Sequence, residues 1–264
     1  MISHYTESKN HTPTPRQARS SWVWFHRFGS SSYFYRFATL WGPRAGWCAL
    51  VLMVIGIYMG LFVAPPDYQM GNSYRIIFIH VPSAWMSLST YLLMAASAAI
   101  GLIWKMKVSF CVSRACAPIG AAFTFCALIT GSLWGKPTWG TYWIWDARLT
   151  SELVLLFLYM GYMALDKAIS DRNTASQATA VLSLVGLVNI PIIHYSVEWW
   201  NTLHQGSTVF RMDGPSIDAR MLVPLLITTV AMNLYFISVL LNRVRCELLD
   251  LERRTQWVRE VVNG

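Results

Sequence analysis

The sequence predicts an all-α membrane protein with six transmembrane helices and both termini in the cytoplasm. Three observations predict it. Of 264 residues, 55% are hydrophobic and only 13% are charged, with a mean hydropathy of +0.39; a soluble domain carries about a quarter charged residues. Six apolar segments approach the roughly 20 residues that a spanning helix needs. Basic residues, finally, concentrate in alternate connections, as they do on the cytoplasmic side of membrane proteins.

The six segments run over about 46–64, 80–104, 115–134, 149–168, 177–196 and 221–242. Lys9, Arg16, Arg19, Arg27, Arg36 and Arg44 precede the first segment. Lys105, Lys107 and Arg114 follow the second, and Lys167 and Arg172 follow the fourth. Arg243, Arg245, Arg253, Arg254 and Arg259 follow the last. The other connections hold only Arg75, Lys136, Arg148, Arg211 and Arg220 of the 21 basic residues. This asymmetry assigns the tails to the cytoplasm and the connections near 65–79, 134–148 and 197–220 to the outer face. Gly56-x3-Gly60 in the first segment marks close helix packing. Pro191 is expected to kink the fifth segment just before His194.

Three regions follow: a cytoplasmic, partly disordered N-terminal tail over 1–44, a six-helix transmembrane domain over 45–243, and a cytoplasmic tail over 244–264. The Ser-, Thr-, Pro- and His-rich start has no apolar core followed by a small-residue cleavage site, so no cleaved signal peptide is expected. The net charge of +8 needs no nucleic-acid partner, because cytoplasmic loops account for it. Cys48, Cys111, Cys116, Cys126 and Cys246 form no CxxC pair, which argues against a disulfide framework or a cysteine zinc site. No Walker A sequence occurs, so nucleotide-driven pumping is not encoded here, and without HExxH or a nucleophile elbow little in the sequence points to an enzyme.

The outer connection Trp134-Gly-Lys-Pro-Thr-Trp139-Gly-Thr-Tyr-Trp143-Ile-Trp145-Asp146-Ala-Arg148 gathers four tryptophans and a tyrosine in a segment punctuated by glycine and proline. Aromatic belts at membrane surfaces are common, but they spread over several helix ends, whereas this cluster sits in one loop. That concentration suits a flat, apolar, π-rich ligand, or a polypeptide docking at the membrane surface. His80, His194 and His204 fall on the same face, while His4, His11 and His26 lie in the solvated tail. Ile79-His80-x4-Trp85 and Ile193-His194-x4-Trp199 echo one another. Imidazole binds iron, copper and zinc alike; four tryptophans favour a porphyrin over a bare ion, and hence haem with axial histidines. Arg75, Lys136, Arg148, Arg211 or Arg220 could pair with its propionates, and Arg148 directly follows the platform. Asp146 is placed either to cap the fourth helix or to serve the site. Glu152, one turn further, is expected to hydrogen-bond a neighbouring helix.

The spacing Trp134-Gly-x3-Trp139-Gly-x2-Trp143-x-Trp145-Asp146 resembles the signature of the WWD-motif haem-handling proteins. With Ile-His80-Val-Pro-Ser-Ala-Trp85 before it and His-Tyr-Ser-Val-Glu-Trp-Trp-Asn-Thr-Leu-His204-Gln-Gly after it, the chain resembles the haem exporter protein C (CcmC) family over roughly Trp41 to Asn242. Tyr142 stands where relatives often have another tryptophan. The resemblance implies a non-enzymatic protein of the bacterial inner membrane that takes haem b as cargo at the periplasmic face. Haem would lie on Trp134, Trp139, Trp143 and Trp145, with Asp146 and Arg148 beside it and His80 and His204 as axial ligands. It would be presented to the chaperone CcmE, with the ABC transporter subunits CcmA and CcmB, the small membrane protein CcmD and membrane lipid as partners. The internal echo pairs His80 with His194 instead, so His194 stays as the alternative ligand. A haem lyase subunit, a quinone-linked oxidoreductase with mid-membrane histidines, and a small-solute permease are the competing readings.

Overall fold

The computed structural model describes residues 27–200, 202, 204 and 217–263. Among the described residues, regular structure is helical apart from an isolated bridge between Asp67 and Gly71. Six helical stretches are long and apolar enough to cross a membrane: Ser31–Val63, Asn72–Trp104, Lys107–Trp139, Ala147–Ala168, Arg172–Trp199 and Ala219–Leu251. The all-α, six-span class read from the sequence therefore holds. The helices are α1 (Ser31–Tyr58), α2 (Ile77–Trp104), α3 (Lys107–Trp139), α4 (Ala147–Ala168), α5 (Arg172–Gly186), α6 (Asn189–Trp199), α7 (Ala219–Leu251) and the short α8 (Gln256–Asn263).

Most of these helices outrun their apolar segments, because a helix persists through charged residues that can reach the membrane surface. α1 begins at Ser31, well inside the stretch assigned to the tail, and carries Arg36, Pro43 and Arg44 within it. The Arg44 guanidinium donates to the Leu40 carbonyl one turn back, at 2.5 Å. At the other end α1 widens into a π-turn over Met59–Val63, where Arg75 donates to the Gly60 and Leu61 carbonyls at 2.7 and 2.6 Å. Those carbonyls would otherwise be orphans of the helix end.

Gly56 and Gly60 do serve packing. A Cβ on Gly56 would meet Thr228 Cγ2 at 2.6 Å, and one on Gly60 would meet the Phe78 ring at 2.6 Å. α1 accordingly lies along α7, with α2 against α3 and α4 against both α3 and α5. The core between them combines Tyr91, Tyr159, Met86, Met94 and Leu155 with fully buried Ser87, Thr124 and Thr179, the small polar residues typical of membrane helix interfaces. Tyr159 donates to the Ser87 carbonyl at 2.8 Å, joining α2 to α4.

The fifth span is interrupted one turn ahead of Pro191. α5 ends at Gly186 and α6 starts at Asn189, so the interruption lies ahead of the proline rather than at it. Pro191 has no N–H to give the Leu187 carbonyl. Ile190 N takes that carbonyl instead, at 3.1 Å, and the tightened turn separates the two helices.

At the end opposite the Trp-rich segment, the start of α1, the connection between α2 and α3, and α8 come together. Ser31 donates to Glu252 at 2.8 Å, Trp257 Nε1 to the other oxygen of that carboxylate at 2.7 Å, and Lys107 pairs with it at 3.8 Å. Arg114 forks onto Asp166 at 2.8–2.9 Å, and Arg172 reaches Glu247 at 2.8 Å and Asp250 at 2.5 Å. These pairs tie α3, α4, α5 and α7 together. That leaves the other end of the bundle to the histidines and tryptophans.

Candidate functional site

The Trp-rich segment is not one loop. α3 continues through Gly135 and Pro137 to Trp139 and stops at Gly140, whose φ of 79° provides the left-handed cap. Only 140–146 is non-helical before α4 begins at Ala147. The expectation of a glycine- and proline-broken loop over 134–148 is corrected on that point: Pro137 sits in the last turn, where it removes a single hydrogen bond and does not end the helix. Trp134 and Trp139 are thus held by a helix, while Trp143 and Trp145 stand in the short connection.

This division gives each candidate histidine a tryptophan. The His80 ring meets Trp134 edge-on at 5.5 Å between centroids, and Trp134 Nε1 in turn contacts Met70 Sδ at 3.3 Å. The His204 ring meets Trp139 at 4.7 Å, again edge-on. Trp143 packs edge-on against Trp145 at 5.4 Å; Trp145 is 76% exposed. Trp143 is half-buried, and its Nε1–H has no hydrogen-bond partner among the described residues. Tyr142 is exposed beneath the Lys136 ammonium, 5.3 Å from the ring centroid.

Hydrogen-bond chemistry fixes which imidazole nitrogen is free. His80 Nδ1 lies 3.1 Å from the Ala127 carbonyl and 3.1 Å from Thr130 Oγ1. A carbonyl only accepts, so Nδ1 carries the proton and Nε2 keeps its lone pair. His204 Nδ1 lies 2.8 Å from Asp146 Oδ2, and the same reasoning leaves Nε2 free. Both rings therefore present the nitrogen that can ligate a metal. Burial holds the His204 imidazole below the usual histidine range; the Arg148 charge pushes the same way, against the pull of Asp146. The ring is neutral at neutral pH and its lone pair is available. His80 and His204, distant in sequence, stand at the same end of the bundle, each beside a tryptophan of the last turns of α3.

Asp146 caps α4, as considered from sequence, and also holds His204. Its Oδ1 accepts from Leu149 N at 2.8 Å and caps α4, while Oδ2 holds His204. Glu152 accepts from Ser87 of α2 at 2.7 Å, the inter-helix bond expected of it. Among the candidate cations, Arg75 is engaged by backbone carbonyls, Lys136 by the Gly140 carbonyl at 3.0 Å, and Arg220 by Asp218 at 3.1 Å. Arg211 lies outside the described residues. Arg148 forms no hydrogen bond among the described residues, although the charges of Glu152 and Asp146 reach it. It is the cation left available. His194 is exposed on α6, with its ring against Tyr195 at 4.7 Å.

Two residues at the centre of this geometry escaped the sequence reading. A Cβ on Gly131 would meet His80 Cε1 at 2.9 Å, and a Cβ on Gly135 would meet the Trp139 ring at 3.0 Å. One glycine seats the histidine, and the other lets Trp139 fold back on its own helix. The signal was present as two glycines four apart in the last turns of a span, the spacing that puts them on one face. Among the described residues, no three His, Cys, Asp or Glu side chains come together as a metal-ion site.

Fold and site together define a multi-pass membrane protein whose paired histidines and tryptophans stand at one end of its helix bundle. The profile of the family described as Heme exporter protein C matches residues 24–259. Heme exporter protein C of Escherichia coli (strain K12) is 49% identical over 241 residues, 91% of this chain and 97% of the relative. The protein of that name from Haemophilus influenzae is 46% identical over 238 residues, 90% and 97% of the two chains. A putative cytochrome c biosynthesis ccmC-like mitochondrial protein of Marchantia polymorpha is 47% identical over 174 residues, 66% and 73%. The chain belongs to the Heme exporter protein C family, and its role is in haem handling for cytochrome c maturation.

Proposed function

We propose that this chain binds haem b as cargo at the outer, periplasmic face of the bacterial inner membrane and presents it to the haem chaperone CcmE. His80 and His204 supply the axial nitrogens. Trp134, Trp139, Trp143 and Trp145 shield the porphyrin, and Arg148 pairs with a propionate. The observation that carries the reading is the placement of two histidines, far apart in the chain, at one end of the bundle, each with Nδ1 held by an acceptor and its ring in T-shaped contact with a tryptophan.

Sidedness follows from the distribution of Lys and Arg: the end that gathers the start of α1 and α8 is cytoplasmic and the histidine end is periplasmic. The chain itself does no covalent chemistry. CcmA, CcmB and CcmD act as its partners in the membrane and release the loaded chaperone. The exposed Trp145, Trp199 and Trp200 offer a surface on which a membrane-anchored partner can dock, since tryptophan is enriched at the energetic centres of interfaces.

The test is transfer. Trp143→Ala is expected to accumulate like the unaltered protein but to pass less haem to CcmE in a reconstituted membrane assay. Failure of that variant to accumulate would make the tryptophan a packing residue, and undiminished transfer would remove it from the platform.

A further inference from the structure

The two candidate ligands are backed by different chemistry. His80 Nδ1 donates to neutral acceptors, the Ala127 carbonyl and Thr130 Oγ1. His204 Nδ1 donates to a carboxylate at 2.8 Å, and the side chains of that pair are only 19% and 7% exposed. The carboxylate is itself immobilised, because its second oxygen accepts the Leu149 N–H at the start of α4. Its plane is thus set by a helix, and one oxygen is left for one imidazole proton. Trp139, 4.7 Å away, closes the side of the His204 ring.

We propose that Asp146 is a positioning residue for haem binding. It locks His204 in the tautomer with Nε2 free and strengthens that nitrogen as a donor, which makes His204 the firmer of the two axial ligands. The proposal rests on the reading that His204 binds haem iron. The physical basis is general: a carboxylate behind a metal-binding imidazole fixes its tautomer and orientation and raises its basicity, and removing such a partner costs about 10- to 100-fold in metal affinity. A carbonyl and a hydroxyl do the first of these for His80 without the full negative charge needed for the second.

Asp146→Asn separates capping from positioning. Asparagine caps a helix about as well as aspartate. With its oxygen on Leu149 N, its NH2 group faces His204 Nδ1 and drives the proton to Nε2, where it blocks ligation. The full-length variant, purified in detergent, stripped of haem and titrated with hemin, is expected to accumulate and unfold like the unaltered chain. Its hemin affinity should fall by about 10- to 100-fold, with loss of the six-coordinate low-spin spectrum and its recovery on adding imidazole. His204→Ala/Asp146→Asn should be no worse than His204→Ala alone. Asp146→Ser, whose hydroxyl caps but is too short to hold the ring, should behave like Asp146→Asn and replaces it as the test if that variant fails to accumulate.

A wild-type spectrum and affinity in these Asp146 variants, alongside a His204→Ala variant that loses six-coordination, would overturn the positioning role and leave the ligand assignment standing. Additive losses in the double variant would overturn it equally, because Asp146 would then act apart from His204. An unchanged His204→Ala spectrum would remove the ligand assignment itself, and the proposal with it.

Discussion

His80 and His204 occupy the same end of the bundle, but they are held there by different means. His80 projects from the first turn of α2 into α3, where the Ala127 carbonyl, Thr130 and the open space over Gly131 receive it. Every one of those contacts is between spanning helices. His204 lies beyond α6, outside the spans, and is held by Asp146 and Trp139. One candidate ligand belongs to the helix bundle, and the other lies outside the spans.

Removing the connection's ligand is the sharpest way to break this comparison. His204→Ala should lower haem affinity by more than the roughly 10- to 100-fold cost of disturbing an outer-shell partner, whereas His194→Ala should leave it unchanged, as measured by hemin titration. His194 is exposed on α6, with its ring against its neighbour Tyr195. Equal losses for the two variants would erase the distinction between them.

Arg148 serves neither histidine directly and tests the anionic edge of the cargo. Its replacement by Ala should cost about 1.5–3 kcal/mol in hemin affinity, the value of a hydrogen bond to a charged group. Lys136→Ala and Arg220→Ala should cost little, because both cations already have partners. The same titration with a haem analogue esterified at its propionates should abolish the Arg148 effect, and an undiminished effect would give Arg148 another role.

The bundle's side of the comparison is probed through Gly131. Gly131→Ala places a methyl 2.9 Å from His80 Cε1 and forces the ring to shift, at about 1–3 kcal/mol by the usual scale of overpacking. The expected signature is weakened ligation with the His204 interaction intact. A variant with unaltered hemin affinity and spectrum would show that His80 can move without consequence.

The spans were legible because a membrane helix must satisfy its backbone internally over a fixed thickness, so length and apolarity suffice to find it. Their ends were not, because hydropathy stops at the first charge while α1 runs on past Arg44 and Arg36 to Ser31. The residues of the site could be named from histidine, tryptophan and WWD spacing. Their mutual arrangement could not. That Trp134 pairs with His80 and Trp139 with His204 depends on α3 running through Pro137, where a proline normally signals a break. The roles of Gly131 and Gly135 depend on what stands opposite them, which no single sequence states. The cap made by Asp146, by contrast, could be read, because helix capping is a local property.

The most direct test of the account is the visible absorption spectrum of the detergent-purified protein, oxidised and reduced, beside the His80→Ala/His204→Ala variant. The account predicts a six-coordinate, low-spin haem spectrum in the unaltered protein and its loss in the double variant. An unchanged spectrum in that variant would contradict it and move the ligands to His194 or into the helix interior, and an absence of haem from both proteins would contradict haem binding by this chain.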